Sequence, residues 1–321
     1  MKKANRIVSL VLTLMMVLAG CSKPAVSSEL INVKVGSLKG PTSIGIIKLM
    51  HEKEKYNYTF TMETQPDVLL ASVVAGDLDI ALIPANVASV LYNKTKGGIS
   101  VIDINTLGVL YMVSGDKSIS SMKDLEGRTV YTTGAGQTPE YVLRYLLKEN
   151  GLEDKVTIEF KSEATEVAAV LAKDPDAVGM LPQPFVTAAL AQNDALSVVL
   201  DMTKEWDALG NGSQLVTGVT VVRNDFLNEH PDAVSLFIND HAASVGFVNS
   251  NVEEASGYVA EAGIIEKAPV AAKAIPNCNI VCITGSDMKT SLSGYLQALY
   301  DEDPASVGGT LPADDFYADI K

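Results

Sequence analysis

The chain has 321 residues, of which 47% are hydrophobic and 20% are charged, and its formal net charge is −14. This length suffices for two lobes with hydrophobic cores, and the composition is that of an ordinary folded protein. A strongly acidic chain is a poor partner for a polyanion, which argues against a nucleic-acid-binding protein.

The N-terminal residues carry the pattern of a secretory signal. Basic residues precede an uncharged, mostly aliphatic stretch at 7–19, which is shorter than the about 20 residues of a membrane span. The stretch ends in Leu-Ala-Gly-Cys, which resembles a bacterial lipobox. We therefore predict that residues 1–20 are a signal peptide, that Cys21 is lipidated, and that the small, polar residues 21–29 are a tether. A plain signal peptide with a chance cysteine is the alternative.

Strand and helix patterns alternate from residue 30 onward. The predicted order is strand INVKVGS, helix from Pro41, strand YTFTMET, helix PDVLLASVVAGD ending at Gly76, strand LDIALIPA, helix NVASVLYNKT and strand GVLYMVS. This alternation predicts an α/β fold whose sheet is covered by helices on both faces. Ligands of such sheets bind beyond the carboxyl ends of the strands.

A polar, turn-rich segment after Ser114 introduces a second α/β run. Its strands are RTVYTT, KVTIEFK, AVGMLPQP and LSVVLDM, and TGVTVVR follows before mostly helical patterns. We predict that residues 30–113 and 219–321 form lobe 1 and that residues 114–218 form lobe 2. The two crossings, near Ser114 and Gly218, would make a two-segment hinge, and the cleft between the lobes is the expected place for a small ligand.

Several phrases resemble solute-binding lipoproteins of ABC importers, in the nitrate/sulfonate/taurine and thiamine-precursor (NMT1/THI5-like) branch. They are the lipobox, GSLKGPTSIG, AGDLDIALIPAN, SMKDLEGRTVYT and VVRNDFLNEHPDAV. The resemblance covers the chain from about residue 31 to its C-terminus. It implies the type II periplasmic-binding-protein fold, with two lobes that are each a mixed sheet flanked by helices. It also implies a lipid-anchored monomer on the extracytoplasmic face of the cell membrane, which delivers a small solute to an ABC permease.

A Gly-x-Gly turn in YTTGAGQTPE joins a predicted strand to a predicted helix. It is not a dinucleotide fingerprint, because Pro139 stands where that motif has its third glycine. Its amides and the helix start suit an anionic or hydrogen-bond-accepting group, and a capping turn without ligand is the alternative. Residues at this and equivalent places after strands are the predicted ligand contacts: Ser37, Lys39, Thr42, Ser43, Gln65, Asn86, Thr133, Gly134, Gly136, Thr138 and Gln183.

The roles of these residues are not equally clear from the sequence. Asn86 and Thr138 are also natural helix caps, whereas Gln183 lies between two prolines and is predicted to have no helix to cap. Lys39 is the one cation in these loops, and no arginine fork for a doubly charged ligand is present. We therefore expect a neutral, zwitterionic or singly charged solute. A heteroaromatic ring could stack on Tyr111 or Trp206, although a core or hinge role for both is the alternative.

The sequence argues against an enzyme. His51, His230 and His241 are scattered and are predicted to lie at the surface, and no Gly-x-Ser-x-Gly elbow is present. A fungal pyrimidine-synthesis enzyme that uses pyridoxal phosphate shares the fold group, but its cysteine-rich motif is missing here. The other alternative is a lipoprotein that presents its ligand to a signalling receptor.

The remaining cysteines, Cys278 and Cys282, lie in NCNIVCIT, which is predicted to be one strand. Two positions four apart on a strand are about 13 Å apart, and a disulfide needs Cα atoms within about 7 Å. We expect two free structural thiols on one face of the strand. No metal site and no cofactor are predicted.

Overall fold

The computed structural model describes residues 31–320, so the predicted signal peptide, the tether and Cys21 lie outside the described residues. The strands are β1 (Val33–Leu38), β2 (Tyr58–Glu63), β3 (Ile80–Pro84), β4 (Ile99–Leu107), β5 (Leu110–Ser114), β6 (Thr129–Thr132), β7 (Thr157–Phe160), β8 (Val178–Pro182), β9 (Ser197–Asp201), β10 (Val216–Arg223) and β11 (Ile280–Ile283). They form two mixed sheets flanked by helices, which confirms the predicted fold class.

The helices alternate with these strands in the first two thirds of the chain and dominate the last third. They are α1 (Pro41–Ile44), α2 (Ile47–His51), α3 (Pro66–Ala75), α4 (Ala85–Thr95), α5 (Thr138–Glu149), α6 (Ala164–Lys173), α7 (Phe185–Gln192), α8 (Met202–Asp207), α9 (Asn224–Glu229), α10 (Pro231–Ser250), α11 (Val252–Glu261), α12 (Ala268–Ala274) and α13 (Gly285–Glu302). Among residues 31–320, no helix combines the length and apolar character that a membrane span requires.

The six-stranded sheet has the order β11-β4-β10-β3-β1-β2. β1 runs parallel to β2 and β3, and β10 runs antiparallel to both β3 and β4. Gly218, near the start of β10, pairs with Pro84 at the end of β3 and with Thr106 near the end of β4. The carboxyl ends of β1, β3 and β4 therefore lie at one edge of the sheet, where the start of β10 joins them.

The five-stranded sheet, in the order β7-β6-β8-β5-β9, repeats this arrangement. β6 runs parallel to β7 and β8, and β5 runs antiparallel to β8 and β9. Leu110, the first residue of β5, pairs with Pro182 at the end of β8. Loops that follow β6 and β8 are thus collected at the edge where the chain enters this sheet.

The chain changes sheet twice, at places that differ from the predicted crossings. The first passage lies between Leu107 and Leu110, and the second lies between Asp201 and Val216. Ser114 ends β5 inside the five-stranded sheet, and Gly218 lies within β10 of the six-stranded sheet. The difference arises because β4 was not predicted from the sequence. This strand belongs to the six-stranded sheet and lies directly before the first passage.

One hydrophobic cluster contains residues from both sheets and their helices. Trp206 on α8 is fully buried and packs between Tyr145 on α5 and Tyr295 on α13, with ring centroids 4.6 and 5.5 Å away. Its indole N–H donates to the hydroxyl of Ser213 at 2.9 Å. Truncating such a side chain typically costs about 3–5 kcal/mol. Both sheets belong to one compact unit that begins at Asn32.

Two local predictions are corrected by the structure. The helix predicted from Pro41 is divided into α1 and α2, because Gly45 and Ile46 interrupt it. Cys278 does not share a strand with Cys282: it follows a 3-10 turn, and Asn279, at φ 44°, separates it from β11. Both thiols are free, as predicted, with Cys278 buried and Cys282 half-buried.

Candidate functional site

The loop after β1 is closed by its own hydroxyl groups. The hydroxyls of Thr42 and Ser43 donate to the carbonyl oxygen of Leu38, at 3.0 and 2.6 Å. Ser43 Oγ also lies 2.7 Å from Ser37 Oγ. Ser37, Thr42 and Ser43, predicted as ligand contacts, are thus brought together and buried, and their hydrogen bonds hold the β1–α1 turn.

A close backbone approach joins this loop to the start of β10, at the same edge of the sheet. A Cβ on Gly218 would lie 2.5 Å from Oδ1 of Asn105 and 2.8 Å from Cγ2 of Thr42. Asn105 accepts a hydrogen bond from Thr106 and donates to Thr220 at 3.2 Å. This edge also contains three buried polar residues that were not predicted as ligand contacts: Asn105, Thr106 and Thr220.

Asn86 and Thr138 bring the two sheets together. Asn86 lies in α4, which follows β3, and Thr138 begins α5, which follows β6. The Thr138 hydroxyl donates to Oδ1 of Asn86 at 3.1 Å, and Asn86 Nδ2 donates to the carbonyl of Ser306 at 3.3 Å. Neither side chain caps its helix, since Pro84 and Gln137 occupy the N-cap positions. Both are almost fully buried, at 1% and 3% exposure.

A third hydroxyl faces this pair. Tyr295 on α13 is buried and its hydroxyl lies beside that of Thr138, outside hydrogen-bond geometry. Burial raises the pKa of Tyr295, so the phenol stays protonated. The hydroxyl of Thr217 on β10 is a further buried group without a partner among the described residues. Both atoms are able to hydrogen-bond a polar ligand.

The glycine turn before α5 is already occupied by a carboxylate. Gly134 and Gly136 have φ of 77° and 72°, which favours glycine at both positions. The amide of Gly136 donates to Oε2 of Glu140 at 2.7 Å, and Glu140 Oε1 pairs with Arg144. A negative charge therefore already lies at this helix start, which makes the turn less suited to an anionic ligand than the sequence indicated.

Gln183 does cap a helix, contrary to the prediction. Its Oε1 accepts the hydroxyl of Thr187 at 2.8 Å and the Thr187 amide at 3.3 Å, in the first turn of α7. The backbone amide of Gln183 donates to the carbonyl of Val109, in the first passage between the sheets. Gln183 is 3% exposed. The two flanking prolines keep it outside the helix but place its side chain over the helix start.

The remaining predicted contacts are more open. Lys39 and Gln65 are exposed, and Thr133 is half-exposed. The Lys39 amide donates to the carbonyl of Glu63 at 2.8 Å, which fixes the backbone and leaves the ammonium group in solvent. The structure therefore separates Lys39 and Gln65, at the surface, from the buried group around Asn86.

The two aromatic candidates for ligand stacking have other partners. Trp206 is enclosed by Tyr145 and Tyr295, so it belongs to the core. Tyr111 donates its hydroxyl to the carbonyl of Asn277 at 3.1 Å. Burial, with the nearby carboxylate of Asp201, raises the pKa of Tyr111 to about 12, so it remains a donor at neutral pH. Tyr111 thus links β5 of one sheet to the segment before β11 of the other.

The histidines are held by neighbours in the structure. His51 is exposed, stacks on Tyr258 and lies 3.0 Å from a carboxylate oxygen of Glu261. The prediction that His241 lies at the surface is wrong: it is fully buried, and its Nδ1 lies 3.2 Å from Oδ2 of Asp103. Local sequence patterns cannot show this pairing, because the two residues are 138 positions apart.

Comparisons with known proteins agree with this architecture. A family profile described as NMT1/THI5 like matches residues 65–255. No curated protein matches the chain. Among solved structures, an ABC transporter from Parabacteroides distasonis has a TM-score of 0.77 at 22% identity, over 91% of this chain and 100% of that one.

Two further solved structures are sulfonate-binding proteins. The periplasmic aliphatic sulphonate binding protein SsuA from Escherichia coli has a TM-score of 0.70 at 14% identity, over 88% of this chain and 95% of its own. The alkanesulfonate-binding protein SsuA from Xanthomonas axonopodis pv. citri, bound to MOPS, has a TM-score of 0.64 at 14% identity, over 88% and 94%. At these identities the likeness shows a shared fold.

Proposed function

The chain belongs to the NMT1/THI5-like family, and we propose that it is the solute-binding component of an ABC importer. It captures a small polar solute between its two sheets and delivers it to a membrane permease. The solute-binding proteins with the same fold support this proposal. We propose that the protein binds and releases the solute without changing it chemically.

The contact between Asn86 and Thr138 carries the proposal. It joins the two strand-end regions in which the sequence predicts ligand contacts, one from each sheet. Beside it is the hydroxyl of Tyr295, which has no hydrogen-bond partner among the described residues. Buried hydroxyl and amide groups select ligands by hydrogen bonds, because a group left unpaired there costs about 1–3 kcal/mol.

The proposed solute is neutral, zwitterionic or singly charged. The groups around Asn86 and Thr138 are uncharged, and the carboxylate of Glu140 already occupies the glycine turn. Lys39, the one cation among the predicted contacts, is exposed. A heteroaromatic solute remains within this class, although Trp206 is enclosed by the core and would not stack on it.

The two sheets are proposed to move as lobes. One lobe holds the six-stranded sheet and the other the five-stranded sheet, with the passages at 108–109 and 202–215 as hinge segments. Contacts that span the sheets, such as Lys148 with Glu302 at 2.7 Å, are of the kind that form when lobes close. The predicted two-segment hinge is thereby retained, with the hinge moved to these passages.

Anchoring through Cys21 is part of the same proposal and rests on the sequence pattern before that cysteine. Two or more acyl chains make attachment stable, whereas one chain gives marginal binding. Cell fractionation of wild type and Cys21→Ser tests it. Wild-type protein in the membrane fraction and variant released from it is the expected result, and equal partition of the two would contradict anchoring.

A lipoprotein that presents its ligand to a signalling receptor would need the same solute-binding site. Import and sensing separate in an uptake assay: deletion of the gene should abolish uptake of the solute if the protein serves an importer. Solute uptake at the wild-type rate in the deletion strain would favour sensing.

A thermal-shift screen tests the proposed function. The solutes to compare are vitamins, pyrimidines, amino acids and sulfonates. A bound solute at 100 times its dissociation constant adds about 2.7 kcal/mol of stability, a clear rise in melting temperature. We expect a neutral or zwitterionic solute to give the largest rise. A screen in which only dianionic sulfonates raise it would contradict the proposed solute class.

A further inference from the structure

A second cluster of side chains that can bind a metal shares no residue with the Asn86–Thr138 contact. Asp103 on β4, His241 on α10 and Cys282 on β11 each present one atom that can bind a metal, and these atoms all lie within 4.8 Å of one another. Asp103 and His241 are fully buried, and Cys282 is half-buried. β4 and β11 are neighbours in the six-stranded sheet, and α10 packs against β11, so three elements that are distant in sequence meet at this cluster.

The spacing of these atoms is close to that of ligands on one ion. In a tetrahedral zinc site, bond lengths of about 2.0–2.3 Å place ligand atoms about 3.3–3.6 Å apart. Oδ2 of Asp103 and Nδ1 of His241 are 3.2 Å apart. The sulfur of Cys282 lies within 4.8 Å of both, so it would have to move by up to about 1.5 Å.

The surroundings hold the carboxylate in position. Thr220 donates its hydroxyl to Oδ1 of Asp103 at 2.8 Å, and Asn105 donates to Thr220 at 3.2 Å. Hydrogen bonds of this kind orient carboxylates that bind metals. They occupy Oδ1 and leave Oδ2, the oxygen that faces His241. The ring of His241 is packed against Gly45, where an added Cβ would lie 3.0 Å from its Nε2.

The buried carboxylate of Asp103 faces the ring of His241, and no lysine or arginine pairs with it among the described residues. A buried carboxylate beside a thiol is costly unless a cation or several hydrogen bonds compensate it. Nε2 of His241 has no hydrogen-bond partner among the described residues, so the ring is held by Asp103 on one side only. A divalent cation would offset the carboxylate and stabilise the thiolate together.

We propose that Asp103, His241 and Cys282 bind one divalent transition-metal ion, with Zn²⁺ the best fit. Thiolate and imidazole ligands favour Zn²⁺ over Mg²⁺ or Ca²⁺, which prefer oxygen. The thiol releases its proton to solvent when the ion binds, and no oxidation or reduction takes place. β11 is an edge strand, and the half-buried Cys282 on it offers a route of entry. The bound ion ties α10 and β11 to β4.

Cobalt binding tests this site on the full chain after treatment with a chelator. Co²⁺ bound through a thiolate gives a sulfur-to-cobalt absorption band in the near ultraviolet, and Zn²⁺ should displace it at one equivalent. Cys282→Ser should abolish the band and weaken Zn²⁺ binding at least 10-fold. Cys278→Ser is the matched control: this fully buried thiol lies outside the cluster, so the band should remain. Cys21 is present in every variant and cannot produce a difference.

A second measurement keeps the test decisive if a variant folds poorly. Zn²⁺ at 100 times its dissociation constant should raise the melting temperature of the wild type by about 5 °C, reversibly with chelator. The same rise is expected for Cys278→Ser and is not expected for Cys282→Ser or His241→Gln. Absence of the band and of the rise in wild type, or survival of the band in Cys282→Ser, would overturn the proposal.

Discussion

Asn86 and Thr138 share one buried hydrogen bond although they follow strands of different sheets, and each has few other partners. Asn86 uses its remaining donor on the carbonyl of Ser306, and Thr138 has only the nearby hydroxyl of Tyr295. The bond therefore connects α4, which follows β3, directly to α5, which follows β6. Removing it should affect stability and, if the solute lies there, binding as well.

Thr138→Val should lower the free energy of unfolding by about 1–3 kcal/mol, because it leaves Oδ1 of Asn86 buried and unpaired. Thr165→Val is the matched control, since its hydroxyl makes an exposed contact with Glu163. The control should change stability by no more than about 0.5 kcal/mol. Urea denaturation of both variants measures the difference. Equal effects for the two would show that the Asn86–Thr138 bond contributes nothing.

The side chain of Gln183 caps α7 and is also proposed to contact the solute. Gln183→Ala removes both roles, whereas Thr187→Val weakens only the capping contact. Thr187→Val deletes the hydroxyl that donates to Gln183 and leaves the amide group of Gln183 in place. We expect each variant to lose about 0.5–2 kcal/mol of stability through the start of α7. Calorimetric titration with the solute should show a further 5-fold or larger loss of affinity for Gln183→Ala alone. Matching affinities in the two variants would restrict Gln183 to capping.

Gly108 lies in the first passage between the sheets, in close contact with α8. A Cβ there would lie 2.0 Å from Oγ1 of Thr203 and 2.9 Å from Leu215. Gly108→Ala should therefore destabilise the protein by about 1–3 kcal/mol. Thr203→Ala removes the closest atom, which has no hydrogen-bond partner within residues 31–320, so the double variant should recover part of the loss. Additive losses in thermal denaturation would contradict this packing.

The alternation of strands and helices was readable from the sequence, and β4 was not. Its residues are buried along both faces, yet Asp103, Asn105 and Thr106 interrupt the apolar pattern. Their polar groups are paired with Thr220, His241 and one another, partners supplied by β10 and α10. Local periodicity cannot reveal pairing across more than a hundred residues, and missing β4 moved the first predicted crossing to Ser114.

Which of the predicted contact residues lie together could be predicted only in part. Strand-end topology correctly grouped Ser37, Thr42 and Ser43, because all belong to one strand–turn–helix unit. It could not show that Thr138 pairs with Asn86, since that contact depends on how the two sheets pack. The capping role of Gln183 was missed because a proline follows it, although the glutamine side chain is long enough to reach Thr187.

The contribution of Asp116, in the turn after β5, to the free energy of unfolding should decrease at acidic pH. Bonds from Ser118 and the guanidinium of Arg128 lower the pKa of Asp116 from 3.8 to about 2. Because the unfolded chain binds this proton more readily, the stabilisation is complete above about pH 5 and is largely lost as the pH falls to about 2. Asp116→Asn should be less stable than wild type at pH 7 and equal to it near pH 2. Urea denaturation across this range measures it, and a difference independent of pH would contradict the assignment.

Hydrogen–deuterium exchange, with and without the solute that most raises the melting temperature, decides whether a solute lies between the two sheets. Saturating solute should slow amide exchange in two separate segments, residues 37–43 from the end of β1 into α1 and residues 133–138 after β6. A neutral compound that leaves the melting temperature unchanged serves as the control and should protect neither segment. Protection of both segments by the solute is the expected result. Protection confined to one sheet, or unchanged exchange in both segments at saturation, would contradict capture of the solute between them.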